Sequence, residues 1–169
     1  MQINRRTTLA LLSGAFAAGV AGPVLASGTT VNASLWDVGD MAMDRLGMME
    51  PIIMGMHGAG MMSEAPMGIK LDVSEVPAGE VTFVATNDSR VMIHEMVLAP
   101  VANFDTPLPY DTTTERVDED AAGDLGEVAE LDPGQSGALT VRLEPGSYIL
   151  YCNIPGHYIL GMWATLTVV

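Results

Sequence analysis

The sequence predicts an all-β domain, folded as a Greek-key β-sandwich of about seven strands with a methionine-rich loop inserted near its start. Short runs rich in valine, isoleucine and threonine alternate apolar with polar residues, as half-buried strands do. Turns that contain glycine and proline separate these runs, for example at residues 77–79 and 144–147. At 169 residues the chain is long enough for one domain with a substantial core.

The first half of the domain is expected to supply four strands, at residues 31–38, 69–73, 81–85 and 91–98. The last of these has the sequence of a strand buried on one face. Because side chains alternate along a strand, His94 and Glu95 are expected to lie on opposite faces of it.

The second half begins with a long irregular stretch, residues 100–132, in which residues 113–122 are expected to form a short helix. Its start is rich in proline, which disfavours regular structure. Three further strands are expected after it, at residues 137–143, 147–151 and 163–169.

Residues 1–26 have the pattern of an export signal: Arg5 and Arg6 precede an apolar run, and small residues at 24–26 offer a cleavage site. Twin-arginine and Sec export both stay open as routes. Glycines and Pro23 interrupt the apolar run, which is shorter than the ~20 residues that span a bilayer. We therefore expect a periplasmic or otherwise exported protein, with one domain at residues 27–169 and no membrane span after cleavage.

The chain is strongly acidic, with a formal net charge of −14 that is spread along its length. Such a surface repels the phosphates of nucleic acid, which excludes nucleic-acid binding as a function class. It favours basic protein partners through electrostatic steering.

The insertion at residues 40–67 carries nine of the 13 methionines. Thioethers are soft ligands that suit Cu(I), so one interpretation is a copper-acquiring loop. Its accessory ligands would be Met54, Met56, His57, Met61 and Met62. The other interpretation is a mobile, low-complexity loop whose methionines pack over apolar surface.

The residues that can carry chemistry gather near the C-terminus, where the only cysteine, a histidine and a methionine follow the spacing Cys152-x4-His157-x4-Met162. Because this stretch lies between two predicted strands, the three side chains can converge at one end of the sandwich. A thiolate, a thioether and two imidazoles are the donors of a blue-copper electron-transfer site. His94 is the expected second imidazole, since only His57 competes with it.

Two polar residues directly follow these donors in the sequence, Glu95 after His94 and Asn153 after Cys152. Hydrogen bonds from outer residues orient metal ligands, so we expect this pair to link the two ligand loops. The apolar neighbours of His157 would form a docking patch for a short-lived complex if the histidine edge is exposed. They are Pro155, Tyr158, Ile159 and Leu160.

Other interpretations of the same residues are weaker. A zinc site could use Cys152 with two histidines but would not need Met162. A catalytic cysteine would have His157 as its base, yet no orienting acid lies nearby in the sequence. A copper enzyme needs further histidine-rich centres, so we expect no catalytic residues and no enzyme activity. Cys152 as a simple small buried hydrophobe is the remaining alternative.

Residues 146–169 and 91–98 resemble the small blue-copper proteins, the cupredoxins, of the plastocyanin, azurin, auracyanin and sulfocyanin type. The run from Tyr151 to Tyr158, followed by Gly161 and Met162, is especially similar to exported bacterial members that carry a methionine-rich insertion. Glu95 stands where many cupredoxins have an asparagine.

The resemblance implies that His94, Cys152, His157 and Met162 hold one type 1 copper, with no other cofactor. The implied function is shuttling of single electrons in the periplasm, between redox proteins that include basic ones such as a c-type cytochrome or an oxidase. The alternative is copper handling, as a chaperone, store or resistance protein in which the methionine-rich segment captures Cu(I).

Overall fold

A computed structural model describes residues 28–56 and 61–169, and the predicted export signal and His57 lie outside these ranges. The described residues form eleven strands, which are β1 (Thr29–Asp37), β2 (Met67–Leu71), β3 (Glu75–Val76), β4 (Gly79–Asn87), β5 (His94–Val101), β6 (Tyr110–Asp111), β7 (Arg116–Val117), β8 (Glu127–Leu131), β9 (Ser136–Leu143), β10 (Gly146–Tyr151) and β11 (Trp163–Val168). The helical segments are α1 (Glu119–Ala122) and 3-10 turns at Met43–Arg45, Met61–Glu64 and Tyr158–Leu160.

Two sheets form the predicted sandwich. One has the strand order β2-β1-β4-β9 and the other β3-β11-β10-β5-β8, while β6 and β7 make a separate ribbon. Neighbouring strands are mostly not consecutive in the sequence, so the chain crosses between the sheets, as Greek-key connections do. The predicted all-β sandwich is confirmed, and eight of the strands have five or more residues.

Two details of the stretch 100–132 differ from the prediction. Part of it is the edge strand β8, in which only Val128 and Leu131 are buried, too short a pattern to be recognised in the sequence. The helix begins at Glu119 rather than at residue 113, because the preceding residues form the turn between β6 and β7. Glu115 in that turn has a φ of 56°, outside the helical region.

The main core lies between the two sheets and follows the alternation of the strands. In β4, every second residue from Val81 to Asn87 is buried, and Phe83 is fully enclosed. Leu35 from β1 and Leu150 from β10 belong to the same cluster. This arrangement is the period of two expected for strands with one face on the core.

The strands β5 and β10 differ because they are buried on both faces. Val97, Ile149 and Tyr151 point away from the main core into a second cluster, which Met54 and Tyr158 complete. The alternating residues of the same strands, Cys152 included, face the main core. The end of β10 therefore delivers Cys152 into a fully enclosed position.

The insertion packs against this end of the sandwich. The backbone N–H of Ile52 donates to the carbonyl of Ile159 at 2.7 Å, and the indole N–H of Trp163 donates to the carbonyl of Ile52 at 2.8 Å. Met54 is 1% exposed. Ile52 and Met54 thus pack against the domain, which agrees with the interpretation that methionines of the insertion pack over apolar surface. Among the described residues, no helix is long and apolar enough to cross a membrane.

Candidate metal centre

Three of the predicted ligands meet at one end of the sandwich. Cys152 follows β10 directly, and His94 begins the neighbouring strand β5, which pairs with β10 in an antiparallel register. His157 Nδ1 lies 3.3 Å from Cys152 Sγ and 3.3 Å from His94 Nδ1. The ligand atoms of all three residues lie within 4.8 Å of one another, and all three side chains are buried.

The ligand loop is closed by backbone hydrogen bonds at its base. Cys152 N–H donates to the carbonyl of Met162 at 3.0 Å, and Met162 N–H donates to the carbonyl of His157 at 3.1 Å. Gly161 has a φ of 94°, a left-handed conformation that glycine adopts without strain. Met162 is fully buried beside Cys152 in the main core. The fourth predicted ligand is therefore fixed to the other two loop ligands through the backbone.

His94 is oriented by a residue that the sequence reasoning missed. Its Nε2 lies 2.8 Å from Oδ2 of Asp37, the last residue of β1. Because a carboxylate can only accept, Nε2 carries the hydrogen, and Nδ1 offers its lone pair toward His157. The strand β5 begins at His94, three residues later than predicted, since Ser89 and Asn87 hold residues 91–92 in a loop.

These residues fit a copper ion. Two nitrogens bound tetrahedrally to one metal at about 2.0–2.1 Å are roughly 3.3 Å apart, which is the distance between the two Nδ1 atoms. A buried thiol, two imidazoles and a nearby thioether form the soft, mixed donor set of a type 1 copper site. With the hydrogen of His94 on Nε2, its Nδ1 is free to donate its lone pair to a cation shared with His157 and Cys152.

The protonation of the metal-free ligands follows from burial. Burial, with a smaller contribution from the adjacent His94, lowers the pKa of His157 to about 4. Burial also lowers the pKa of His94, against the Asp37 carboxylate, which raises it. Both imidazoles are therefore neutral near pH 7, the form that binds metals. Burial raises the pKa of Cys152 to about 12, although the backbone N–H groups of Glu95 and Ile154 act on its sulfur in the opposite direction.

Asn153 links the cysteine loop to the β7–α1 segment through its side chain. Its Oδ1 accepts from Val117 N–H at 2.6 Å, and its Nδ2 donates to Val117 O at 3.0 Å and to Glu119 Oε1 at 2.6 Å. The guanidinium of Arg116 donates to the carbonyl of Asn153 at 2.7 Å. The side-chain amide of Asn153 therefore bonds to Val117 and Glu119 and not to Glu95, the partner expected from the sequence.

Glu95 is buried, and the groups that act on its carboxylate include Arg116 and Asn153 of this network. Burial and the carboxylate of Glu127 raise the pKa of Glu95 to about 7, against the guanidinium of Arg116 and the backbone N–H of Asn153. Its Oε1 has no hydrogen-bond partner among the described residues. Two backbone N–H groups thus connect the two ligand loops through side-chain acceptors. The N–H of Glu95 acts on the sulfur of Cys152, and the N–H of Asn153 acts on the carboxylate of Glu95.

The five predicted accessory Cu(I) ligands are not seen as a cluster. Met54 is buried in the second core cluster, Met56 is exposed and Met62 is half-buried. His57 and the side chain of Met61 lie outside the described part of the chain. The position of Met54 favours packing as its role, and the accessory set stays a prediction.

His157 is covered by the insertion. The side chains of Met43 and Leu46 lie against Gly156, the residue before it, and His157 is 3% exposed. Tyr158 and Leu160, expected in a docking patch, are buried as well. A groove of about 350 Å³ reaches His157, and it is lined by Val91, Met92, Ile93, Glu130, Ile154 and His157.

Comparisons with known proteins agree with this fold and site. The profile of the copper binding proteins of the plastocyanin/azurin family matches residues 57–169. A 50-residue segment is 46% identical to auracyanin-B of Chloroflexus aurantiacus, and covers 29% of this chain and 21% of that protein. The matched segment thus spans only about a fifth of that relative's length.

Solved structures of similar proteins include two blue-copper examples. Dithionite-reduced auracyanin from Roseiflexus castenholzii is 27% identical over 59% of this chain and 86% of its own, with a TM-score of 0.42. Rusticyanin from Thiobacillus ferrooxidans is 16% identical over 85% of this chain and 79% of its own, with a TM-score of 0.50, and this likeness concerns the fold alone.

The fold and the buried cysteine–histidine cluster define a blue-copper protein, a cupredoxin. The family match extends over most of the chain, so the chain belongs to the copper binding proteins of the plastocyanin/azurin family. Its cofactor is copper.

Proposed function

We propose that this protein is an exported single-electron carrier, in which His94, Cys152, His157 and Met162 hold one type 1 copper. The observation that supports this most is the convergence of three buried ligand atoms within 4.8 Å. Copper bound there supplies a Cu(II)/Cu(I) couple that accepts and returns one electron at a time.

The protein's own contribution is to hold its ligands still. Cys152 and His94 sit at adjoining ends of two paired strands, and Met162 is tied to Cys152 and His157 through the backbone. A fixed set of this kind limits rearrangement between the two oxidation states. All four ligand residues are buried, which keeps water from the donors. We assign no catalytic residue.

The partner is proposed to approach over the groove that reaches His157. The exposed apolar residues Val91 and Ile93 form its rim, and Glu130 adds a negative charge. Together with the net charge of −14, this favours a basic redox protein, such as a c-type cytochrome or an oxidase, in a short-lived complex.

Export to the periplasm belongs to the same proposal. It depends on residues 1–26, with the mature domain at residues 27–169. Mass spectrometry of the protein recovered from the periplasmic fraction would support it by finding a chain that begins near residue 27. Recovery of the full-length chain in the cytoplasmic fraction would contradict it.

The copper site is tested by titrating the metal-free protein with Cu(II) and recording visible absorption. We expect an intense thiolate-to-copper band that saturates at one equivalent, and its loss in Cys152→Ser, His94→Gln and His157→Gln. His57→Gln is the matched control, since the third histidine is not among the four ligands and its replacement should leave the band unchanged. A colourless wild-type protein, or a band that survives Cys152→Ser, would refute the proposal.

Copper handling is a second candidate, because the described insertion exposes thioethers. Met41, Met48 and Met56 are 69%, 85% and 57% exposed. Measuring bound Cu(I) at equilibrium with a competing chelator separates the two functions. A single equivalent supports an electron carrier alone, whereas extra equivalents lost when these three methionines are replaced by leucine support handling.

A further inference from the structure

The carboxylate of Asp37 is built into the metal centre from a distant part of the chain. Its side chain and that of His94 are 1% and 0% exposed, and their Oδ2 and Nε2 atoms are 2.8 Å apart. Asp37 lies outside residues 57–169, the part that matches the family profile. The contact is therefore a property of this chain's first strand.

The hydrogen-bond partners of this carboxylate besides His94 are also donors. Gly39 N–H donates to Oδ1 at 2.6 Å, and the Ser89 hydroxyl is a further donor. Ser89 Oγ itself accepts from the N–H groups of Val91 and Met92, which leaves its hydrogen for Asp37. Burial raises the pKa of Asp37, but these donors together with His94 outweigh it and hold the pKa below the ordinary value. Three hydrogen-bond donors on one carboxylate are the surroundings that suit its ionised form, which can only accept.

Among the described residues, Asp37 forms no ion pair with a lysine or arginine, although Arg90 and the carboxylate of Asp88 line the same cavity. Its only ion pair in that part of the chain is with His94. A buried charge is poorly screened by water and salt. Its field therefore acts along the imidazole ring of His94, whose far nitrogen faces His157 and Cys152.

We propose that Asp37 is the positioning and potential-setting residue of the copper centre. It fixes the Nε2–H tautomer of His94, so that Nδ1 binds the metal, and its negative charge favours Cu(II) over Cu(I), which lowers the reduction potential. The proposal rests on the proposed function, since it takes His94 as a copper ligand.

Two substitutions separate the two roles. Asp37→Asn keeps an oxygen that can accept from Nε2–H but removes the charge, whereas Asp37→Ala removes both. We expect Asp37→Asn to retain the thiolate-to-copper band and to shift the Cu(I)/Cu(II) ratio at a fixed potential at least tenfold toward Cu(I), about 59 mV. We expect Asp37→Ala to lose copper affinity by about 10–100-fold, as loss of a residue that orients a ligand does.

Asp72→Asn is the matched control. Asp72 is exposed and bonded to Asn32, five residues along β1 from Asp37, or roughly 16 Å. The Asp72→Asn substitution removes the same unit of negative charge as Asp37→Asn, but at a distance from the copper ligands. The potential should change far less than in Asp37→Asn.

The measurements are redox titration of the copper-loaded variants and nitrogen NMR of the His94 ring in the reduced wild-type protein. The NMR experiment is independent of how well the variants fold, and it should find hydrogen on Nε2. An Asp37→Asn potential no higher than that of Asp72→Asn, unchanged copper affinity in Asp37→Ala, or hydrogen on Nδ1 would each overturn the corresponding role. A wild-type protein without the thiolate-to-copper band would instead refute the proposed function, so the two failures are distinguishable.

Discussion

Replacing Asn153 by alanine should destabilise the protein because its amide is the partner of two buried backbone groups. The side chain accepts from Val117 N–H and donates to Val117 O, and Val117 is 3% exposed. Both groups lose their partner in Asn153→Ala, and the bond to Glu119 is lost as well.

The size of the effect follows from these contacts. An unsatisfied buried polar group costs about 1–3 kcal/mol, so two of them predict a loss of about 2–6 kcal/mol in the free energy of unfolding. The bond to Glu119 adds less, because Glu119 is only half-buried and its carboxylate can regain water. The ligand loop loses its anchor to β7, so copper should also dissociate faster.

Urea unfolding of the metal-free protein, followed by circular dichroism, measures the free energy. Asn103→Ala is the control, since the Asn103 side chain also accepts two hydrogen bonds, from Asp105 and Thr106, but on an exposed loop. We expect the control to lose less than about 1 kcal/mol. Equal losses in the two variants would refute the reasoning that burial makes the Asn153 network costly to break.

Three further predictions concern the ligand loop and its cover. Gly161→Ala should destabilise the protein more than Gly134→Ala in thermal unfolding. Both glycines have positive φ. A Cβ at Gly161 would lie 2.8 Å from Ala65, whereas a Cβ at Gly134 would meet nothing within 4 Å. Equal losses would contradict the close contact. Leu46→Ser removes apolar cover beside Gly156 and should speed electron self-exchange, measured by NMR line broadening. The exposed control Met48→Ser should leave the rate unchanged. Equal rates in the two variants would mean that this cover does not limit electron self-exchange. Copper at 100 times its dissociation constant should add about 2.7 kcal/mol to the free energy of unfolding of the wild-type protein. The same copper concentration should add much less in Cys152→Ser. Identical gains would mean that copper binds at a site without Cys152.

The parts of the fold and site that the sequence predicts are those governed by local patterns. Alternation along the strands predicts the sandwich, and the Cys152-x4-His157-x4-Met162 spacing keeps three donors on one loop. His94 could be placed because the chain has only three histidines. Each of these inferences needs no knowledge of which strands pair.

The parts that escaped prediction depend on pairing between distant segments. Asp37 and His94 are 57 residues apart in the sequence. They meet only because the last residue of β1 lies beside the first residue of β5. An acidic residue at the end of a predicted strand was the one available signal. The edge strand β8 is held by its pairing with β5 rather than by its own pattern. Likewise, the packing of Ile52 depends on tertiary contacts such as its hydrogen bond to Ile159.

Copper K-edge X-ray absorption, on protein loaded with one equivalent of Cu(II), tests most directly whether the buried cluster is the metal site. We expect one short sulfur and two imidazole nitrogens around the ion, with the short sulfur lost in Cys152→Ser. A shell of nitrogen and oxygen alone, or of several thioether sulfurs, would contradict binding by His94, Cys152 and His157.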